Sequence, residues 1–308
     1  MPPLLRHAFI RLLEIVPVLW VVATITFILA RMVPGGPFDR EHVLTPQAAE
    51  ENNAYYGLDQ PLYVQYIKYF DNFLHGDLGP SYQHAGWTVN ELLAQKVPVS
   101  AELGLWASLV AIVIGLGVGA LAAMRPRTWS DYGLMSFAMV GICLPTFVLG
   151  PILILLFGLH WNLVNVTGWY TPSDRILPSI VLGLYYAAYL ARLLRGSMLE
   201  IRTQDFVRTA RAKGNSNRRV ILVHVLRNAL TPVIAYLAPT MAGLVTGSFV
   251  VETVFQIPGI GRLFVEAVLV HEYPLLIGLT VLFAAVLLLC NWVADILMAA
   301  LNPKVMLE

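Results

Sequence analysis

Arg208-Thr209-Ala210-Arg211-Ala212-Lys213-Gly214 lies in a strongly basic stretch between two long apolar runs. Nine Lys and Arg against two acids, Glu200 and Asp205, fall within 192–227. A chain does not need such a loop merely to stay in a bilayer, so a partner on the charged side of the membrane is expected. The spacing predicts a helix over 197–213 with Leu199, Phe206 and Ala210 on or near one face. Gly214 and Asn215 supply its C-terminal stop, and Ser216 is the N-cap of a second helix running through Arg227. Membrane topology and attraction to anionic lipid account for part of the charge. Neither accounts for the short Ala/Gly core, whose small side chains allow a helix to sit deep in a groove of another protein.

Working outward, the 308 residues are 57% hydrophobic and only 13% charged, where soluble domains carry roughly 25% charged residues. With a mean hydropathy of +0.68, this is the composition of a polytopic membrane protein. A net charge of +1 gives no pull toward nucleic acid. Cys143 and Cys290 fall inside apolar runs, away from any CxxC spacing, and read as inert packing residues. A hydrocarbon core of about 30 Å needs roughly 20 apolar helical residues. Six stretches qualify, near 12–32, 99–124, 132–158, 176–198, 229–251 and 275–301. Fourteen of the 20 Lys and Arg lie on the side of both termini and the 199–228 loop, against six on the other. The positive-inside rule then puts both termini and that loop in the cytoplasm. Arg6, His7 and Arg11 ahead of an apolar run also suit a signal peptide, but no clear small-residue cleavage site follows Ala30. Three regions follow: a tail and first span (1–32), an outer loop domain (33–98) and a five-span core (99–308). The expected class is an all-α membrane protein with six transmembrane helices.

The outer segment 33–98 carries eight Asp and Glu against three Lys and Arg. It opens on the turn Pro34-Gly35-Gly36-Pro37 and contains an amphipathic helix over 61–75. Pro61 suits the first helical position, and Leu62, Tyr66, Tyr69, Phe70 and Phe73 lie close to one stripe. Such a segment docks another protein, covers a pore or lies on the bilayer as a solvated loop. A second outer segment, 252–274, has a Pro258-Gly259-x-Gly261 break and a short apolar helix at 262–270. It reads as a partly re-entrant element, tolerated at membrane depth only against protein or a water-filled cavity. Glu252, Phe255, Pro258, Gly259 and Gly261 are therefore the expected outer gate or pathway region.

Catalytic constellations are missing. The sequence has no GxxxxGK[ST] phosphate loop, no HExxH and no GxSxG elbow, and its seven histidines lack ligand spacing. No catalytic residue and no metal ligand is expected. Glu102, Glu252 and Asp295 fall near span ends, where charge costs little; structural pairing and a pathway role both remain open. An ion-coupled transporter would carry more midplane charge, so energy is expected to enter from outside the chain.

RTARAKG at 208–214, followed by His224 and Arg227-Asn228-Ala229-Leu230-x-Pro232, resembles the cytoplasmic coupling segment of bacterial ATP-binding-cassette importer permeases, specifically the peptide branch. The resemblance covers nearly the whole chain. It includes Arg31-Met32-Val33-Pro34-Gly35-Gly36-Pro37, Tyr56-Gly57-Leu58-Asp59-x-Pro61-Leu62 and Gly76-Asp77-Leu78-Gly79-Pro80-Ser81. It continues through Leu190-Ala191-Arg192, Gln204-Asp205-Phe206, Val251-Glu252-Thr253-Val254-Phe255, Pro258-Gly259-Ile260-Gly261 and Asn302-Pro303-Lys304. It is closest to the B-type oligopeptide permease subunit; dipeptide, nickel and glutathione permeases share much of the pattern. It implies an inner-membrane subunit that forms the translocation path with a second, homologous permease. Two ATPase subunits would bind ATP and Mg, no cofactor being bound by this chain, and a periplasmic peptide-binding protein would deliver cargo. Arg208, Thr209, Ala210, Arg211, Ala212, Lys213 and Gly214 would couple to the ATPase; Gly76, Asp77, Leu78 and Gly79 would serve outer-loop docking. Arg208 stands where the broader importer pattern has Glu, and Arg227 where it has Pro, so charge pairing does not carry over from sugar or metal importers. The alternatives are a self-contained secondary transporter, which would need an internal repeat or a midplane ion site, and a membrane enzyme or scaffold.

Overall fold

The computed structural model describes residues 3–33, 53–84 and 86–301. The turn at 34–37, Arg40 and the 302–304 motif lie outside them. The elements are α1 (Pro3–Met32), α2 (Leu62–Leu74), α3 (Val89–Met124), α4 (Trp129–Cys143), α5 (Thr146–Leu153), α6 (Ile176–Ile201), α7 (Asp205–Ala212), α8 (Leu226–Val245), α9 (Phe249–Val254), α10 (Ile260–Leu269) and α11 (Tyr273–Leu301). A π-helical turn extends α5 over Ile154–His160, and another leads into α8 over Val220–Val225. The described residues form no strand, only an isolated bridge between Pro80 and Thr88.

Five helices are long and apolar enough to cross a membrane. The expected span at 132–158 is not one straight helix: α4 and α5 meet at a bend of 105°. Pro145 has no N–H to continue the helix and pushes Leu144 into an extended conformation, φ −97 and ψ 116. Counting that pair as one gives up to six spans. α3 starts ten residues before the expected 99, because Thr88 and Glu91 close a capping box. Its first turns bury Val89, Leu92 and Leu93 against Leu275 and Leu279 of α11. The span expected at 229–251 stops at Val245, and α9 restarts after Thr246–Ser248 with Ser248 as its N-cap.

α3 and α6 form the centre. A Cβ on Gly115 would lie 2.7 Å from Leu190 Cβ and 2.8 Å from the Ala187 carbonyl; on Gly119 it would lie 2.6 Å from the Ala191 carbonyl. The backbones meet because these positions have no side chain. α1 packs on the flank through Ala23 and Phe27, which join Phe70, Ile277 and Val281. α2 lies against α1: Tyr66 Oη is 2.9 Å from Thr24 Oγ1, and the Trp20 and Phe70 rings are 4.3 Å apart. Leu62, placed on the apolar stripe by the sequence, is 59% exposed; Tyr66, Tyr69, Phe70 and Phe73 make the packed face.

Gly115→Leu should wedge α3 from α6 and cost about 1–3 kcal/mol, read as a lower melting temperature of the purified protein. Gly117→Ala, with nothing within 4 Å of the new Cβ, should leave melting unchanged.

Candidate functional site

The basic segment is a seated helix with a bare outer face. α6 ends at Ile201 and the chain turns over 202–204, so the expected continuous helix over 197–213 is in fact two. Arg202 fixes the turn by donating from Nη1 to the Ala123 carbonyl at 2.7 Å. α7 then buries Val207 and Ala210 among Leu190, Leu194, Met198, Val220 and Val225. Phe206, expected on that face, points away and is 41% exposed; Leu199 is only half-buried. Arg208, Thr209, Arg211, Ala212 and Lys213 are all exposed. Among the described residues, the one partner of these charges is Asp205, 3.5 Å from Arg208 with both side chains in solvent, a pair of little energetic weight. Gly214 has φ +78, the left-handed conformation that ends the helix. Asn215 Nδ2 donates back to the Ala210 carbonyl at 2.9 Å, and Ser216 caps the following turn.

At the other end, Glu252 is fully buried within the protein, so its place at a span end does not leave its charge in solvent. Its carboxylate accepts from Ser100 Oγ at 2.7 Å and from the Arg262 N–H at 2.9 Å. Ser100 Oγ in turn accepts from the Ile260 N–H at 2.8 Å. Gly259 and Gly261 press on this knot: a Cβ on Gly259 would strike Ser100 Oγ and the Glu252 carboxylate. Phe255 is buried among Leu103, Leu149, Leu177 and Val181, while Pro258 is exposed. Sequence reading found Glu252 and the glycines but missed Ser100, a lone serine in an apolar run with no spacing signal.

The outer turn Gly76-Asp77-Leu78-Gly79 is braced from within. Asn90 donates to the Gly76 carbonyl at 2.7 Å and accepts from the Leu78 N–H at 2.9 Å; Asp77 accepts from the Gly79 N–H at 2.9 Å. Beside it opens a cleft of about 500 Å³, lined by Arg31, Tyr55, Tyr56, Gln60, Tyr69 and Tyr82 among others. Arg31 Nη1, Gln60 Oε1 and Tyr69 Oη are buried without a hydrogen-bond partner. Burial pushes the Tyr82 phenol up to about 12 and raises that of Tyr69 also.

The other acids singled out by sequence are paired. Glu102 accepts from Arg175 Nε at 2.6 Å and from Trp169 Nε1 at 2.9 Å. Asp295 lies 3.9 Å from Arg11, both about half-exposed. A tighter pair went unnoticed: Arg195 holds the buried Asp131 through two bonds of 2.7 Å. The described residues contain no cluster of His, Cys, Asp and Glu able to hold a metal.

Residues 115–307 match the family described as binding-protein-dependent transport system inner membrane component. The chain is 43% identical over 304 residues to the oligopeptide transport system permease protein OppB of Haemophilus influenzae, covering 98% of this chain and 99% of that one. It is 41% identical to OppB of Salmonella typhimurium, over 98% and 99%. To the dipeptide transport system permease protein DppB of Bacillus subtilis it is 40% identical, over 98% of each chain. Among solved structures, an inward-facing MetNI methionine ABC transporter aligns with a TM-score of 0.56 at 19% identity, over 68% of this chain and 96% of that one. At that identity the likeness speaks to fold.

Glu252→Ala should orphan the Ser100 hydroxyl and the Arg262 N–H in a buried site, costing about 2–4 kcal/mol. Thermal unfolding of the purified protein should show it, with Glu252→Gln, which keeps the shape and one acceptor, losing clearly less.

Proposed function

The chain belongs to the family of binding-protein-dependent transport system inner membrane components, and from that premise we propose that it is the permease subunit of a peptide importer energised by separate ATPases. The near full-length relationship to oligopeptide and dipeptide permeases supports peptide cargo, oligopeptides first. Dipeptides, peptide-like compounds, nickel and glutathione are the alternatives. Both termini and the 199–228 loop lie in the cytoplasm on this reading, and 33–98 forms an outer domain ahead of the five-span core at 99–308.

The observation that carries the reading is α7. It is anchored on one side by Val207 and Ala210, and on the other presents Arg208, Arg211, Ala212 and Lys213 with hardly any partner of their own. A helix built only to hold topology has no need of a packed seat. Seated this way, 208–214 is suited to fill a groove of an ATPase. ATP and Mg belong in those partner subunits, two per importer, with no cofactor held by this chain. When nucleotide closes the ATPase pair, α7 moves with its groove and α6 moves with α7. The spans then open outward, and hydrolysis resets them.

A second permease would complete the path. At the outer face, a peptide-binding protein would dock over Gly76–Gly79 and the neighbouring cleft, whose orphaned polar atoms suit a polar partner. The packed Glu252–Gly261 knot would serve as the outer gate in its closed form.

Ala212→Trp places a large ring on the exposed docking face without touching the seat. Expected is a loss of peptide uptake of at least tenfold and failure to co-purify with the ATPase, with normal membrane insertion and an unchanged melting temperature. Gly214→Trp should likewise block uptake while peptide binding by the delivery protein is untouched. Normal peptide-driven growth of both variants would overturn the coupling assignment.

A further inference from the structure

A helix that shows a face to hydrocarbon covers it with large apolar side chains. α1, α3, α4, α5 and α11 do this, with Val16 65%, Val113 63%, Phe137 60%, Phe147 61% and Val293 48% exposed. α6 beyond Ile176 and the described side chains of α8 contribute no exposed large hydrophobic residue. Beyond Arg227 and Asn228 in its first turn, what α8 exposes among the described side chains is small or ring-closed: Pro232, Ala235, Pro239 and Gly243, at helical-turn spacing. What α6 brings to this side at i, i+4 and i+7 is the half-buried Tyr185 and Tyr189 and the exposed Arg192. Neither surface suits lipid.

The side chains on this face form one array. The Tyr185 and Tyr189 rings are 5.5 Å apart, inclined at 65°. Tyr189 lies 6.3 Å from Tyr236 of α8, and the Arg192 guanidinium is 5.6 Å from the centre of the Tyr189 ring. Arg192 Nη2 also touches the Met139 sulfur at 3.3 Å, a weak acceptor. Among the described residues no carboxylate pairs with Arg192, whereas Arg195, one turn along, is locked to Asp131. Three residues of helix rise about 4.5 Å, so Arg192 sits that much further than Arg195 from the α7 end of α6, inside the apolar span Pro172–Ile201. A cation at that depth, exposed and without a counter-ion, needs water in front of it.

Building on the peptide-permease reading, we propose that Tyr185, Tyr189 and Tyr236 form a wall of the translocation path and that Arg192 is a contact for the carboxylate of the passing peptide. The guanidinium fork fits a carboxylate through two parallel hydrogen bonds. Every unblocked peptide ends in one, whatever its sequence. Tyrosine offers a flat apolar ring and a hydroxyl, so it takes backbone amides and varied side chains without selecting among them. The pair of chemistries suits cargo defined by its terminus and backbone.

The test uses the assembled importer in nanodiscs, with Cys143→Ser and Cys290→Ser as background. Single cysteines replace Tyr189, Tyr236 and, as lipid-facing controls, Phe137 and Val113. A charged, water-soluble methanethiosulfonate should label Tyr189→Cys and Tyr236→Cys at least tenfold faster than the two controls. Trialanine, added without the binding protein, should slow labelling of Tyr236→Cys, and its C-terminal amide should need at least tenfold higher concentration for equal protection. In an Arg192→Gln background that preference should vanish, and in Arg192→Lys it should persist in part. Labelling of the tyrosine positions no faster than the controls would overturn the wall. Protection by neither peptide would overturn the peptide reading of the cargo while leaving the wall standing. A preference for the free acid that survives Arg192→Gln would overturn the carboxylate contact alone.

Discussion

The close approach of α3 and α6 is the contact on which the other features of the chain depend. Hydrocarbon is as apolar as leucine, so helices in it gain little by hiding apolar surface from lipid and associate through fit instead. Gly115 and Gly119 let α3 come down on Ala187, Leu190 and Ala191. That commits the back of α6 to the protein and leaves its front to Tyr185, Tyr189 and Arg192. The same helix carries Arg195 to Asp131 of α4 and ends in the turn that Arg202 ties to Ala123 of α3. The position of α7 is therefore set by three helices at once, and its basic face is held out by a packed base.

Glu252 is the counterpart at the other end. A buried carboxylate is a poor device for stability alone, because desolvation works against it. Here every contact comes from a different segment: the hydroxyl of Ser100 in α3 and the N–H of Arg262 in α10 meet a carboxylate on α9. The knot thus depends on the mutual placement of three elements and fails if any one moves. Gly259 and Gly261 exclude a side chain that would hold the elements apart.

Much of this was legible in the residues. Apolar run length pointed to six spans, against five qualifying helices and a bent pair that makes up to six. The basic stretch around the Ala/Gly core folds as α7 with its charged side chains exposed. What escaped has physical reasons. Hydropathy does not measure angle, so the expected span 132–158 carries no sign of the 105° bend between α4 and α5. Phe206 was placed inward because periodicity was carried through Arg202–Gln204, where the helix breaks and its phase is lost. Arg192 and Arg195 lie inside the expected span 176–198 yet count with the basic loop, because a charge tally does not separate cations within a span from those beyond it. The tyrosine face needed the opposite neighbours to be known before its polarity meant anything.

A chain so arranged moves in blocks rather than by bending. Interdigitated helix faces have a few discrete fits, not a continuum. The glycine-mediated contact between α3 and α6 leaves no slack for one to flex along the other. Displacement of α7 therefore carries α6, and with it the face of Tyr185, Tyr189 and Arg192, as one body. Among the breaks in the helices are Leu144–Pro145 between α4 and α5, and Thr246–Ser248 between α8 and α9, where Gly247 holds φ +85. The second break lies next to Glu252, whose carboxylate would meet a Cβ placed on Gly247. On the proposed coupling, a push that begins at the basic helix and travels along α8 would reach the break beside the polar knot, and a gate there would be driven by it.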